Sequence, residues 1–144
     1  MYGGEMLRIN GPRMQVIIRS IAPSGDAPGK NFTEENALID TGASIVCIDR
    51  FMAKRLGLEL VNVTKMDVVG NRIDACVYAG WLEVPELGFS KMMMLFAPDN
   101  AMPTSQVLLG RSFLSNFIMN YDGPSDTFQF FRPGMGLAPP VEDE

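Results

Sequence analysis

Residues 37–44 read Ala37-Leu38-Ile39-Asp40-Thr41-Gly42-Ala43-Ser44. An apolar run leads straight into a carboxylate, then into a hydroxyl, a glycine and two small residues. A residue that follows Leu-Ile in a short buried strand is ordinarily apolar. A carboxylate there keeps its charge only when hydrogen-bond donors surround it. The next residues can supply them. Gly42 lets a backbone N–H come close, and Thr41 and Ser44 carry hydroxyls. The stretch predicts a carboxylate held at a strand end by a tight loop. A plainer reading, a loop carboxylate that only caps neighbouring amides, uses the same residues.

Upstream, residues 14–21 are rich in β-branched side chains and predict a strand. Pro23, Gly25, Pro28 and Gly29 make 22–36 a loop, so that 37–39 is a short strand ending at Asp40. Downstream, 45–48 resumes a strand. Asp49 reads as a helix N-cap and Gly57 as the residue past the helix end, with Phe51, Met52 and Leu56 as its apolar face. Residues 58–69 and 73–84 predict a long hairpin whose turn is Gly70-Asn71-Arg72. A turn at 85–88 leads to a strand over 89–97, in which Met92, Met93 and Met94 read as adaptable core filling. A loop over 98–105 precedes the apolar strand Val107-Leu108-Leu109-Gly110 and a short helix over 111–117. A last hairpin, 118–121 with 127–131, turns at Asp122-Gly123-Pro124. Many strands joined by Gly/Pro turns, with two short helices, predict an all-β fold: a small barrel or sandwich.

A length of 144 residues fits one domain. We divide it into an N-terminal arm (1–12), a domain (13–132) and a proline-rich, acidic tail (133–144) that is expected to be mobile. A chain this long buries roughly 70% of its extended surface, enough for an ordinary core. Net charge is −5 without a basic run, which argues against nucleic acid or an anionic membrane as partner. The chain contains no histidine. It therefore cannot build a Ser-His-Asp or Cys-His nucleophile system or a His-ligated zinc site by itself. Cys47 and Cys76 lie far apart, outside any Cys-x-x-Cys pattern, and are expected to be buried, reduced thiols. No cofactor or metal is expected. The N-terminus lacks a basic-then-apolar leader, and no run of about 18 apolar residues occurs. A soluble, cytoplasmic protein is the expectation.

Two apolar strands thus end in special loops, Leu38-Ile39-Asp40-Thr41-Gly42-Ala43 and Leu108-Leu109-Gly110-Arg111, with a glycine-tipped hairpin between them in sequence. In these features, and in the order of elements over residues 14–131, the chain resembles the retropepsin-like aspartic proteases, the family of the retroviral proteases and their cellular and bacterial relatives. The resemblance implies a small closed β-barrel of the retropepsin type. It implies an aspartic endopeptidase that activates water by general acid/base catalysis between two carboxylates sharing one proton. Only one Asp-Thr-Gly is present, and Asp67, Asp74, Asp122 and Asp126 lack its loop context. The resemblance therefore implies a homodimer in which each chain contributes Asp40.

By the same analogy Thr41 bonds across the two-fold axis, and Gly42 presents its N–H to the carboxylate. Val69, Gly70 and Asn71 form a flap over a peptide or protein substrate. Leu108, Leu109, Gly110 and Arg111 support the active-site loop. Ala43, Ser44, Ile45, Val69 and Met102 are candidate substrate contacts, which implies a preference for apolar residues beside the scissile bond. Two departures stand out. Ser44 occupies a position where retroviral members often carry an acid that pairs with the arginine corresponding to Arg111, so the partner of Arg111 is open, with Asp49 or a group on the other subunit as candidates. Asn71-Arg72 follows Gly70 where a glycine pair is usual. Ala43 also lacks the hydroxyl that two-domain pepsin-like enzymes carry there, so activity is expected nearer neutral pH than in those enzymes. An Asp-x-Gly loop of actin-like ATPases fits poorly, because the βαβ alternation of that fold is missing. The other reading is non-catalytic: a peptide-binding or assembly module on the same barrel.

Overall fold

A computed structural model describes residues 2–3, 11–68, 70–99 and 107–134. Its strands are β1 (Tyr2–Gly3), β2 (Arg13–Ile21), β3 (Pro28–Ile39), β4 (Val46–Ile48), β5 (Glu59–Val68), β6 (Asn71–Val84), β7 (Phe89–Pro98), β8 (Val107–Leu109), β9 (Ile118–Asp122) and β10 (Thr127–Phe131). Helix α1 (Arg50–Leu56) follows β4, α2 (Arg111–Leu114) follows β8, and a 3-10 turn spans Pro85–Leu87. The order β2-β3-β8-β4-β7-β6 closes on itself through β2–β6 pairing, so six strands form a closed barrel, with β5 added to β6 as one arm of a hairpin. A separate three-stranded sheet has the order β1-β10-β9.

Alternation along the strands builds the core. Met14, Val16 and Ile18 of β2, Ala37 and Ile39 of β3, Leu82 and Val84 of β6, and Val107 and Leu109 of β8 all face one buried cluster. Helix α1 closes it with Met52, Ala53 and Leu56. Asp49 caps this helix by accepting from the Phe51 N–H at 3.1 Å, and Gly57 ends it at φ 67°, as the sequence predicts. Phe89, Phe113, Phe117, Phe128 and Phe130 form a chain of edge-to-face and tilted rings that ties the second sheet to the barrel.

The structure revises several local expectations. The loop expected over 22–36 is confined to 22–27, because residues 28–39 continue as a ladder against β2, with Phe32 opposite Arg19 and Ala37 opposite Met14. Pro28 opens this strand, where its missing N–H costs no ladder bond, and Gly29 lies tightly against Ser20. Phe51 does not share the buried face of α1 but is 59% exposed; Ala53 takes its place, because residues 52, 53 and 56 share a side and 51 does not. Met92 and Met94 are not core filling. They point outward at 47% and 43% exposure, and only Met93 leans on the core, as the two-residue period of a strand demands. Asn71 and Arg72 belong to β6, opposite Val68 and Asp67, so the hairpin turn is tighter than expected, with Gly70 at φ 81°. Helix α2 ends at Leu114, not at residue 117. Both cysteines are free; Cys47 is buried and Cys76 half-buried.

Candidate active site

Strands β3 and β8 run parallel, with Leu38 beside Leu108 and Ile39 beside Leu109. They therefore end side by side, placing Asp40 next to Gly110. The Asp40 N–H donates to the Leu109 carbonyl at 3.0 Å, and the chain turns at once, with the Ala43 N–H donating back to the Asp40 carbonyl at 3.2 Å. Inside that turn the Gly42 N–H donates to Asp40 Oδ1 at 2.9 Å. This is the donor that the sequence requires for a carboxylate at the end of an apolar strand. Asp40 is half-buried and Gly42 exposed, so the acid stays open to solvent on one side.

The loop is held from below by α2. A helix leaves its first N–H groups without intrahelical partners, and α2 has no side-chain cap. Here the loop carbonyls take that role. The Arg111 N–H donates to Ala43 at 2.8 Å and the Ser112 N–H to Ser44 at 3.0 Å. The Arg111 guanidinium adds a third bond, Nη1 to the Thr41 carbonyl at 2.7 Å, charge-assisted and therefore stronger than an ordinary amide bond. The partner left open for Arg111 is thus a backbone carbonyl of the same loop. It is not Asp49, whose carboxylate caps α1. An acid at position 44 is unnecessary for this anchoring. Gly110 makes the arrangement possible: a Cβ there would lie 2.0 Å from the Ile45 carbonyl oxygen and 2.8 Å from that of Ala43.

Asp40 borders a cleft of about 570 Å³. Gly42, Ala43, Ser44, Ile45, Leu108 and Arg111 share its lining, so seven of the residues singled out from sequence meet at one place. Thr41 is exposed beside it, Leu109 and Gly110 are buried, and Gly70 and Asn71 lie at the hairpin turn and do not line the cleft. Val69 and Met102 lie outside the described residues. The opposite wall was missed from sequence: Thr64, Lys65, Met66 and Asp67 of β5, with Cys47 and Phe96 completing the lining. Cys47 pairs with both Leu108 and Phe96 across neighbouring strands, so their outward faces are contiguous. Residues Thr64 and Met66 could have been flagged by their two-residue period. Cys47 and Phe96 come to the cleft only through strand order.

The hairpin arm beside Asp40 is cross-linked by charge. Lys65 pairs with Asp74 directly opposite, and Asp67 with Arg72 at 3.8 Å. The two pairs have reversed polarity, so a slip of the strands would set like charges against each other. Cys47, beneath the cleft, has its thiol pushed up to about 11 by burial and then by the Asp40 carboxylate. It stays protonated and is a poor nucleophile at neutral pH. Among the described residues no three His, Cys, Asp or Glu side chains gather to hold a metal ion.

A family model described as "gag-polyprotein putative aspartyl protease" matches residues 30–116. No curated protein sequence matches significantly. Among solved structures, the simian foamy virus (mac) protease is 15% identical at a TM-score of 0.47, over 72% of this chain and 92% of that one. The EIAV protease, solved with the inhibitor HBY-793, is 20% identical at 0.47, over 72% and 85%. A retropepsin-like aspartic protease from Rickettsia conorii is 18% identical at 0.46, over 77% and 89%.

Proposed function

Because the chain belongs to the gag-polyprotein aspartyl protease family, whose model spans the Asp40 loop, its hairpin and α2, we propose that it is an aspartic endopeptidase working as a homodimer. The observation that carries this reading is the Asp40 loop: one carboxylate, held by the Gly42 N–H, open to a cleft whose other wall is a hairpin arm. A carboxylate alone is half of the chemistry. Water attacks a peptide carbonyl when one group removes its proton while another donates toward the carbonyl oxygen. Two Asp40 side chains across a two-fold axis supply both, since neighbouring carboxylates cannot both ionise and so hold one proton between them. With no histidine in the chain, the base cannot be an imidazole of this chain. Arg111, by fixing the Thr41 carbonyl, keeps each loop in place for the meeting. An extended peptide would lie between β5 and the loop, its side chains against Ile45, Cys47, Phe96 and Leu108.

The test is peptide-library cleavage by the purified chain and by Asp40→Asn, beside a mass measurement in solution. The wild type is expected to cut as a dimer, with specific activity falling on dilution. Asp40→Asn is expected to dimerise and bind peptides but to lose at least about 10²–10⁴-fold in rate. Equal inertness of both proteins across a broad pH range would leave a peptide-binding module instead of an enzyme.

A further inference from the structure

A second cavity, of about 350 Å³, shares no lining residue with the Asp40 cleft. Its apolar side is Phe89 and Phe117, whose rings meet at 6.0 Å between centroids. Its polar side is Ser90, Lys91, Asn116 and Arg132. In a chain with 17 acids to 12 bases, the described lining holds two cations and no carboxylate.

These groups have donors to spare. The Arg132 guanidinium is fixed by two bonds to the Leu87 carbonyl, from Nε at 2.9 Å and from Nη2. It lies directly on Gly88, where a Cβ would collide with Nη2; at φ 62° that residue favours glycine on backbone grounds too. Those two bonds satisfy two of the five guanidinium N–H groups with one acceptor. Lys91 Nζ lies 5.6 Å from the Phe89 ring centroid and has no acidic partner among the described residues. Ser90 borders the cavity, but its Oγ stands on the face of β7 opposite to Phe89 and Lys91, where it accepts from Trp81 Nε1 at 2.7 Å. The Asn116 amide spends one proton on the Phe113 carbonyl at 2.8 Å and keeps the other. Three donor groups, two of them charged and one of these held rigidly, thus line one cavity with an aromatic floor. Its volume is within the range of small-molecule sites, and the pattern of an apolar floor with a few polar groups is theirs as well.

We propose that this cavity binds a small organic oxyanion: a carboxylate or phosphate head between Lys91 and Arg132, with a flat apolar body on Phe89 and Phe117. The proposal does not depend on Asp40 chemistry. Binding is read as heat by titration calorimetry on the full chain. Phenyl phosphate, benzoate and inorganic phosphate are titrated separately, with sodium chloride holding ionic strength constant. Saturable change is expected with phenyl phosphate or benzoate, and weaker binding with inorganic phosphate, which lacks the apolar body. Lys91→Gln should weaken binding about three- to ten-fold and Lys91→Glu further. Asp40→Asn should bind like the wild type. Arg132→Gln also loses the Leu87 carbonyl and can disturb the turn, so the Lys91 variants decide. Absence of saturable change with all three probes overturns the site. Unaltered affinity in Lys91→Glu removes the assigned cation, and inorganic phosphate binding as tightly as phenyl phosphate refutes the aromatic floor.

Discussion

Replacing Gly110 by alanine loads the contact on which the position of Asp40 depends. The new Cβ would stand 2.0 Å from the Ile45 carbonyl oxygen, whereas real Cβ atoms stay at or beyond 3.0 Å, so something must retreat by about 1 Å (3.0 − 2.0). Neither Ile45 O nor Ala43 O can swing aside as a side chain would; both are backbone of the loop. The Ala43 carbonyl also accepts from the Arg111 N–H, and its neighbour at Ser44 from the Ser112 N–H. Overpacking of this kind costs roughly 1–3 kcal/mol. One weakened backbone hydrogen bond adds about 0.5–1.5 kcal/mol. We therefore expect Gly110→Ala to lose about 2–4 kcal/mol. With a urea m-value of about 2 kcal/mol/M, the midpoint should fall by about 1–2 M. Urea unfolding is to be followed at one fixed protein concentration, since association adds its own stabilisation. Gly123→Ala is the control: its nearest neighbour would be Tyr121 Cε1 at 3.9 Å, so its midpoint should barely move. A Gly110→Ala midpoint no lower than that of Gly123→Ala would refute the buttress.

Three further outcomes follow from other contacts. The Cys47 thiol is raised from 9.0 to about 11, so the native state holds this proton more tightly than the unfolded chain does. Its contribution, about 2–3 kcal/mol, is fully present below pH 9 and lost as pH rises toward 11. Urea midpoints of Cys47→Ala should therefore decline less steeply than those of the wild type across that window. Lys65→Glu sets like charges opposite each other at Asp74 in the exposed hairpin and should cost about 0.2–1 kcal/mol. Amide exchange over residues 64–75 should then speed up, and the swap Lys65→Glu with Asp74→Lys should restore it. Asp49→Ala removes the cap of α1 and should cost about 1 kcal/mol, read as a lower thermal midpoint with little change in folded secondary structure.

The residues that carry the site were legible because their chemistry clashes with their place in the chain. Asp40 after Leu38-Ile39 demanded donors, and Gly42 supplies one at 2.9 Å. The glycine of Leu108-Leu109-Gly110-Arg111 marked a close approach, and that approach is to the Asp40 loop itself. Local capping was equally readable, as Asp49 and Gly57 show. The partner of Arg111 was not, since a backbone carbonyl as acceptor leaves no trace in residue type. The length of β3 was hidden too. Pro28 and Gly29 look like loop residues, and only the ladder to β2 makes them the start of a strand.

By itself the sequence determined the strand-rich class, the single Asp-Thr-Gly loop and the absence of histidine, because each rests on residue identity or on periods within a few neighbours. Tertiary structure alone decided what faces Asp40. Cys47, Thr64, Met66 and Phe96 reach the cleft through pairings between strands distant in sequence, and such pairings are set by closure of the whole barrel. It also decided that Met92 and Met94 lie on the outer side of β7, and it brought Lys91 and Arg132 to one cavity across 41 positions of chain (132 − 91). Side-chain type sets what a residue can do; long-range pairing, driven by burial of a common core, sets what it meets.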